Sequence, residues 1–255
     1  MRLRRAVKRA GAILGVAAVV VLAGSTSVPA AASPPGPESC PPMIVFGVDG
    51  TLKVGKPTST VHPILAAVAD RGMRTVRIGY PGEISPIGTH TYNRSKEIGV
   101  DELHRQVALA HAECPIAALR VVGFSQGAAI AGDVLAELAH DIDRPDDLAG
   151  LLIADPRTPD TGAEVVAPGA LAGISLTGAR DGFGTVPVAT VCAVGDAVCD
   201  MVDPRSDPLE AARRIEGYFA VHQRYSELTV DGRSFVDAMV DLVEHPRTTS
   251  VRLVN

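Results

Sequence analysis

Two hydrophobic patterns alternate along this chain. The first is the short, nearly continuous apolar run, found at residues 43–48, 73–78, 118–122, 148–154 and 186–191. Runs this short, bounded by Gly, Pro and Asp, predict strands buried on both faces, as in a parallel sheet. The second is a longer stretch with apolar residues three or four apart. It predicts helices over 61–71, 96–113, 128–138, 209–219 and 234–243. In 96–113 the inner stripe is Leu103, Val107 and Ala110, with Ala108 and Leu109 beside it. Strands alternating with helices predict a three-layer α/β/α sandwich on a mostly parallel central sheet, with 186–191 as its last strand. Residues 158–183 break the pattern. They are rich in Gly, Pro and Ala and read as a partial lid or a surface loop.

The first 39 residues follow neither pattern. Arg2, Arg4, Arg5, Lys8 and Arg9 precede an uncharged apolar stretch over 11–24, and Ala30-Ala31-Ala32 offers a cleavage site. This predicts a signal peptide over 1–32. The apolar stretch is shorter than the roughly 20 residues that span a bilayer. Residues 33–39, rich in Pro, Gly and Ser, read as a linker, and 40–255 as one domain. Removing five basic residues takes the formal charge from −5 to −10. An acidic protein, secreted outside the cell or into the envelope, is expected. Its charge argues against a nucleic-acid partner. Peripheral contact with a lipid or envelope surface stays compatible with it, and a monomer is expected.

Export changes the reading of the cysteines. All four lie beyond residue 32, so disulfides are the default, with three pairings available. Proximity pairs Cys192 with Cys199 and leaves Cys40 with Cys114. The alternative, a metal site at Cys192 and Cys199, lacks a second cysteine pair or a nearby His. No metal or organic cofactor is expected.

The candidate chemistry starts at Gly123-Phe124-Ser125-Gln126-Gly127, between a predicted strand and a predicted helix. This is the form of a nucleophile elbow. A serine hydroxyl needs a base, and the base needs an orienting carboxylate, in the chain order Ser, Asp or Glu, His. Asp196 stands in Cys192-Ala193-Val194-Gly195-Asp196-Ala197-Val198-Cys199, where a disulfide would fix its aim. Asp155 competes, and Asp200 and Asp203 compete more weakly. Only His222 and His245 follow Asp196. His222 lies where an apolar segment turns polar; His245, before Pro246, reads as a helix-terminal surface residue. The oxyanion donors are expected at the Gln126 backbone N–H and in the loop at Gly50-Thr51.

With these residues the chain resembles the cutinase family of serine esterases, particularly its actinobacterial branch and the related PE-PPE-type esterase domain. The serine motif, the Cys192–Cys199 loop with Gly195-Asp196, and His222 followed by Tyr225 carry the resemblance; Tyr80-Pro81 and the Cys40/Cys114 pair match in kind. It implies Ser125 as nucleophile, Asp196 as orienter, His222 as base, and Thr51 and Gln126 as oxyanion donors. It also implies an ester substrate: a lipid, a short acyl ester or a polyester such as cutin. Two features depart from the family. Asp49 stands where an Arg-Gly pair usually precedes the oxyanion residue, and Asp196 and His222 are further apart than in compact fungal cutinases.

Three rivals stand beside this reading. Val45 to Leu52 resembles the aspartyl-phosphatase motif of haloacid-dehalogenase-type enzymes, but Gly47 occupies the nucleophile position. A secreted binding protein on the same fold would need no triad. An acyltransferase would share the acyl-enzyme and pass the acyl group elsewhere.

Overall fold

The computed structural model describes residues 40–141, 143–166 and 177–254. The expected signal peptide and linker, and the centre of the 158–183 stretch, lie outside the described residues. In chain order the elements are β1 (Met43–Val48), α1 (Val61–Ala69), β2 (Arg74–Arg77), α2 (Tyr92–Glu113), β3 (Ala118–Phe124), α3 (Gln126–Leu138), β4 (Leu148–Ile153), α4 (Ala163–Val166), β5 (Val188–Ala193), α5 (Pro208–Gly217), β6 (Thr229–Val230), β7 (Arg233–Ser234), α6 (Phe235–Glu244) and β8 (Thr249–Leu253). Single turns of π-helix at Tyr218–His222 and 3₁₀-helix at Tyr225–Glu227 follow α5.

The central sheet has the order β2-β1-β3-β4-β5-β8, and every pairing is parallel. Alternate residues of each strand enter opposite cores. Val45, Val122, Leu151, Ile153 and Val191 pack with α1 and α6; Ile44, Phe46, Leu119, Val121 and Leu152 pack with α2 and α3. Both faces are covered, which is why these strands read as unbroken apolar runs. The architecture is the expected α/β/α sandwich.

Several boundaries shift by one to four residues from the sequence reading, and one strand takes a different place in the sheet. α2 starts at Tyr92, not residue 96, because the Thr91 side chain caps it by accepting from the Arg94 N–H at 3.2 Å. α1 stops at Ala69, before Gly72 turns with φ of 84°. The strand expected to be last is interior instead. Beyond it lies β8, paired with β5 from Ala189↔Thr249 to Ala193↔Leu253. Thr249, Ser250 and Arg252 make β8 polar, as an edge strand can be, so no apolar run marked it. Within 158–183 the described residues include the single helical turn α4.

Cys40 bonds Cys114 at 2.08 Å and Cys192 bonds Cys199 at 1.99 Å, both as expected. The first bridge ties the start of the domain to the end of α2. The second closes the loop after β5. Three loops thus leave the C-terminal ends of β1, β3 and β5, the edge where open α/β sheets place their ligands.

Candidate active site

Ser125 forms the turn between β3 and α3 with φ 58° and ψ −124°. An L-residue rarely adopts a positive φ, so the surroundings must hold it there. The chain passes so tightly that side chains are excluded on either side. A Cβ on Gly123 would meet the Gly127 carbonyl oxygen at 2.4 Å, and one on Gly127 the Val48 carbonyl oxygen at 2.1 Å. The Ser125 N–H donates to Ile153 O at 2.9 Å, pinning the turn to β4. The Gln126 N–H opens α3, where a helix offers it no intrahelical acceptor.

His222 reaches Ser125 from the π-turn after α5. Its Nε2 lies 2.9 Å from Ser125 Oγ and its Nδ1 2.8 Å from Asp196 Oδ2. Both His222 and Asp196 are buried. The second Asp196 oxygen accepts from the Val198 N–H at 3.0 Å. Tyr225 donates its phenol to Asp196 Oδ2 at 2.7 Å while accepting from the Ala193 N–H at 2.9 Å. Burial first, and then the Asp196 charge, hold the Tyr225 pKa well above its ordinary value, so the phenol stays a donor. The imidazole lies between two aromatic faces. Phe124 and Tyr218 each stack on it at 4.7 Å between centroids, with interplanar angles of 27° and 20°.

On the opposite side, Thr51 Oγ1 donates to Gln126 Oε1 at 3.4 Å. The fully buried Gln126 amide donates to Tyr92 O at 3.1 Å and Glu83 O at 3.4 Å. One side chain therefore ties the Thr51 loop, the Glu83 loop and the start of α2 to the elbow. The Asp49 carboxylate turns away from Thr51. It accepts from Ser59, from the Gly55 N–H at 3.0 Å and from Arg77 at 2.7 Å. The acid that departs from the family pattern is thus committed to its own loop. Glu83 accepts from Thr89 and His90, and chiefly through His90 its carboxyl is held down to about 2.

The competing acids are engaged elsewhere. Asp155 binds Arg180; Asp200 binds Arg214 and Arg252; Asp203 binds Arg205 at 2.9 Å. His245 is exposed at the end of α6, as expected. Among the described residues no group of three or more His, Cys, Asp or Glu could hold a metal ion. Sequence reasoning assigned no role to Phe124 or Tyr218, and weighed Asp200 only as a weaker rival to Asp196. Tyr218 carried a usable signal, because four residues before His222 is one helical turn away.

A family model described as Cutinase matches residues 39–236. The protein named Carboxylesterase Culp6 homolog from Corynebacterium glutamicum is 28% identical over 239 residues, covering 76% of each chain. The catalytic core domain of acetyl xylan esterase from Trichoderma reesei is similar with a TM-score of 0.48 and 20% identity, over 78% of this chain and 98% of that one. Lysin B from Mycobacteriophage D29 is similar with a TM-score of 0.46 and 23% identity, over 80% of this chain and 83% of that one. The family match spans well over half of the residues, and the chain belongs to the cutinase family of carboxylic ester hydrolases.

Proposed function

We propose that this protein is a secreted serine esterase working through Ser125, His222 and Asp196. The supporting observation is a single buried imidazole within hydrogen-bond reach of both the elbow hydroxyl and a buried carboxylate. Asp196 accepts at Nδ1, which leaves the Nε2 lone pair facing Ser125 Oγ. His222 takes the Ser125 proton as Oγ attacks the ester carbonyl. The oxyanion forms against the Gln126 N–H and Thr51. Loss of one such donor costs about 3 kcal/mol of transition-state stabilisation. The alcohol leaves with the proton from His222. Water then repeats the sequence on the acyl-enzyme and releases the acid.

Leu52, Val194 and Phe219 are exposed apolar side chains on the segments that carry Thr51, Asp196 and His222. Exposed apolar side chains on those segments are compatible with an acyl chain or a lipid surface as the substrate's context. Export with cleavage after Ala32 completes the reading; amino-terminal sequencing of the exported protein should begin at Ser33. S125A should abolish p-nitrophenyl ester turnover and fluorophosphonate labelling while leaving the thermal midpoint within a few degrees. Turnover retained in S125A would end the serine mechanism.

A further inference from the structure

Asp200 is a buried carboxylate beside the acid loop for which the reaction above has no use. It follows Cys199 directly and is 5% exposed. Its Oδ2 accepts from the Gly195 N–H at 2.8 Å and pairs with Arg214. Its Oδ1 accepts from Arg252 at 2.6 Å. Its own N–H donates to the Asp196 carbonyl at 2.7 Å. Asp200 therefore grips the backbone on both sides of the Asp196 Cα, from a position where its carboxylate touches neither His222 nor Ser125.

Arg214 makes this more than a loop contact. It lies in the last turn of α5, and α5 runs directly into the π-turn with Tyr218 and His222. Arg214 also accepts support from Glu210 Oε1, to which its Nε donates at 2.7 Å. The two segments touch without a side chain between them: a Cβ on Gly217 would lie 2.2 Å from the Gly195 carbonyl oxygen. One carboxylate thus spans the segment bearing the acid and the segment bearing the base. Arg252 links it to β8 as well.

We propose that Asp200 is a positioning residue for the Asp196–His222 pair, acting through Gly195 on one side and Arg214 on the other. This rests on the serine-esterase reading. The 2.8 Å contact between Asp196 and His222 joins two loops, and such a contact is sensitive to small rigid-body shifts. A misplacement of about 1 Å at a catalytic contact costs on the order of a hundredfold in rate. Asparagine at 200 keeps an oxygen for the Gly195 N–H and removes the charge that holds Arg214 and Arg252.

The test compares the full-length wild type with D200N, R214Q and R252Q. It reads kcat and KM on p-nitrophenyl butyrate per folded molecule, and the downfield proton resonance of the His222–Asp196 hydrogen bond. D200N and R214Q should each lower kcat roughly ten- to a hundredfold with KM within about twofold, and should shift or weaken that resonance. Combined, they should be little worse than the poorer single variant, because both break one tie. R252Q, which cuts only the strand tether, should keep at least about half of the kcat. A kcat within about twofold of wild type in both D200N and R214Q overturns the proposal, even if their thermal midpoints fall. So does an R252Q variant as slow as D200N. If D200N does not fold, R214Q decides by the same criteria. The resonance reports the positioning without turnover, so an active S125A would sink the esterase mechanism separately.

Discussion

Gly127 makes the elbow, and its cost of replacement is steric. A methyl group there would lie 2.1 Å from the carbonyl of Val48, the last residue of the neighbouring strand β1. G127A is expected to destabilise the protein by about 2–3 kcal/mol, read from the denaturant midpoint, and to lower kcat as Ser125 shifts. Tyr225 acts by chemistry instead. Y225F removes a hydrogen bond to a charged oxygen, about 1.5 kcal/mol. If that support acts in the transition state, kcat should fall about tenfold. The buried Ala193 N–H also loses its acceptor, so a denaturant titration should show a loss of about 1–3 kcal/mol. Ser125, Asp196 and His222 were legible because each sits in a short pattern with a local cause: a glycine-flanked turn, a cysteine-closed loop, an apolar-to-polar border. The Phe124–His222–Tyr218 stack was not legible, because ring orientation is a product of packing.

Loops differ in what their cross-links do. The Cys40–Cys114 pair spans 74 positions and the Cys192–Cys199 pair spans 7. Chain-entropy reasoning assigns them about 4.5 and about 2.5 kcal/mol respectively. Replacing the first pair with serines should therefore cost more in thermal stability. Replacing the second should cost more in kcat, because Asp196 lies inside its loop. Equal losses of kcat in the two double variants would contradict this division. The Glu83 loop offers a pH prediction. Glu83 titrates near 2 in the folded protein, held down first by the His90 hydrogen bonds, against about 4.3 in an unfolded chain. A depressed carboxyl stabilises fully above the unfolded value, and that stabilisation is lost as pH falls through the folded one. The stabilisation from this loop should be intact at pH 5 and drain away between about pH 4 and pH 2. E83Q should remove that part of the acid dependence in pH-resolved thermal melts. The helices and buried strands were readable from periodicity, while β8 was hidden because an edge strand needs few apolar residues.

Across the whole molecule, the sheet brings together residues far apart in the chain. β1, β3 and β5 are parallel, so the loops bearing Thr51, Ser125 and Asp196 emerge on one edge. β8 then covers the far side of β5, and the Val194 N–H donates to Leu253 O at 2.8 Å, which steadies the start of the acid loop. Deleting 249–255 should therefore expose β5 as an edge and lower both solubility and kcat, as sedimentation and turnover assays would show. The sequence by itself determined the fold class, the elbow, the cysteine-closed loop and the order of the three polar residues, because each depends on local periodicity or on short spacing. Only the tertiary structure decided that Asp49 faces away from Thr51, that two rings enclose the imidazole, and that Asp200 spans the acid and base segments. Those arrangements depend on where side chains meet across elements, and no local pattern along a chain encodes that.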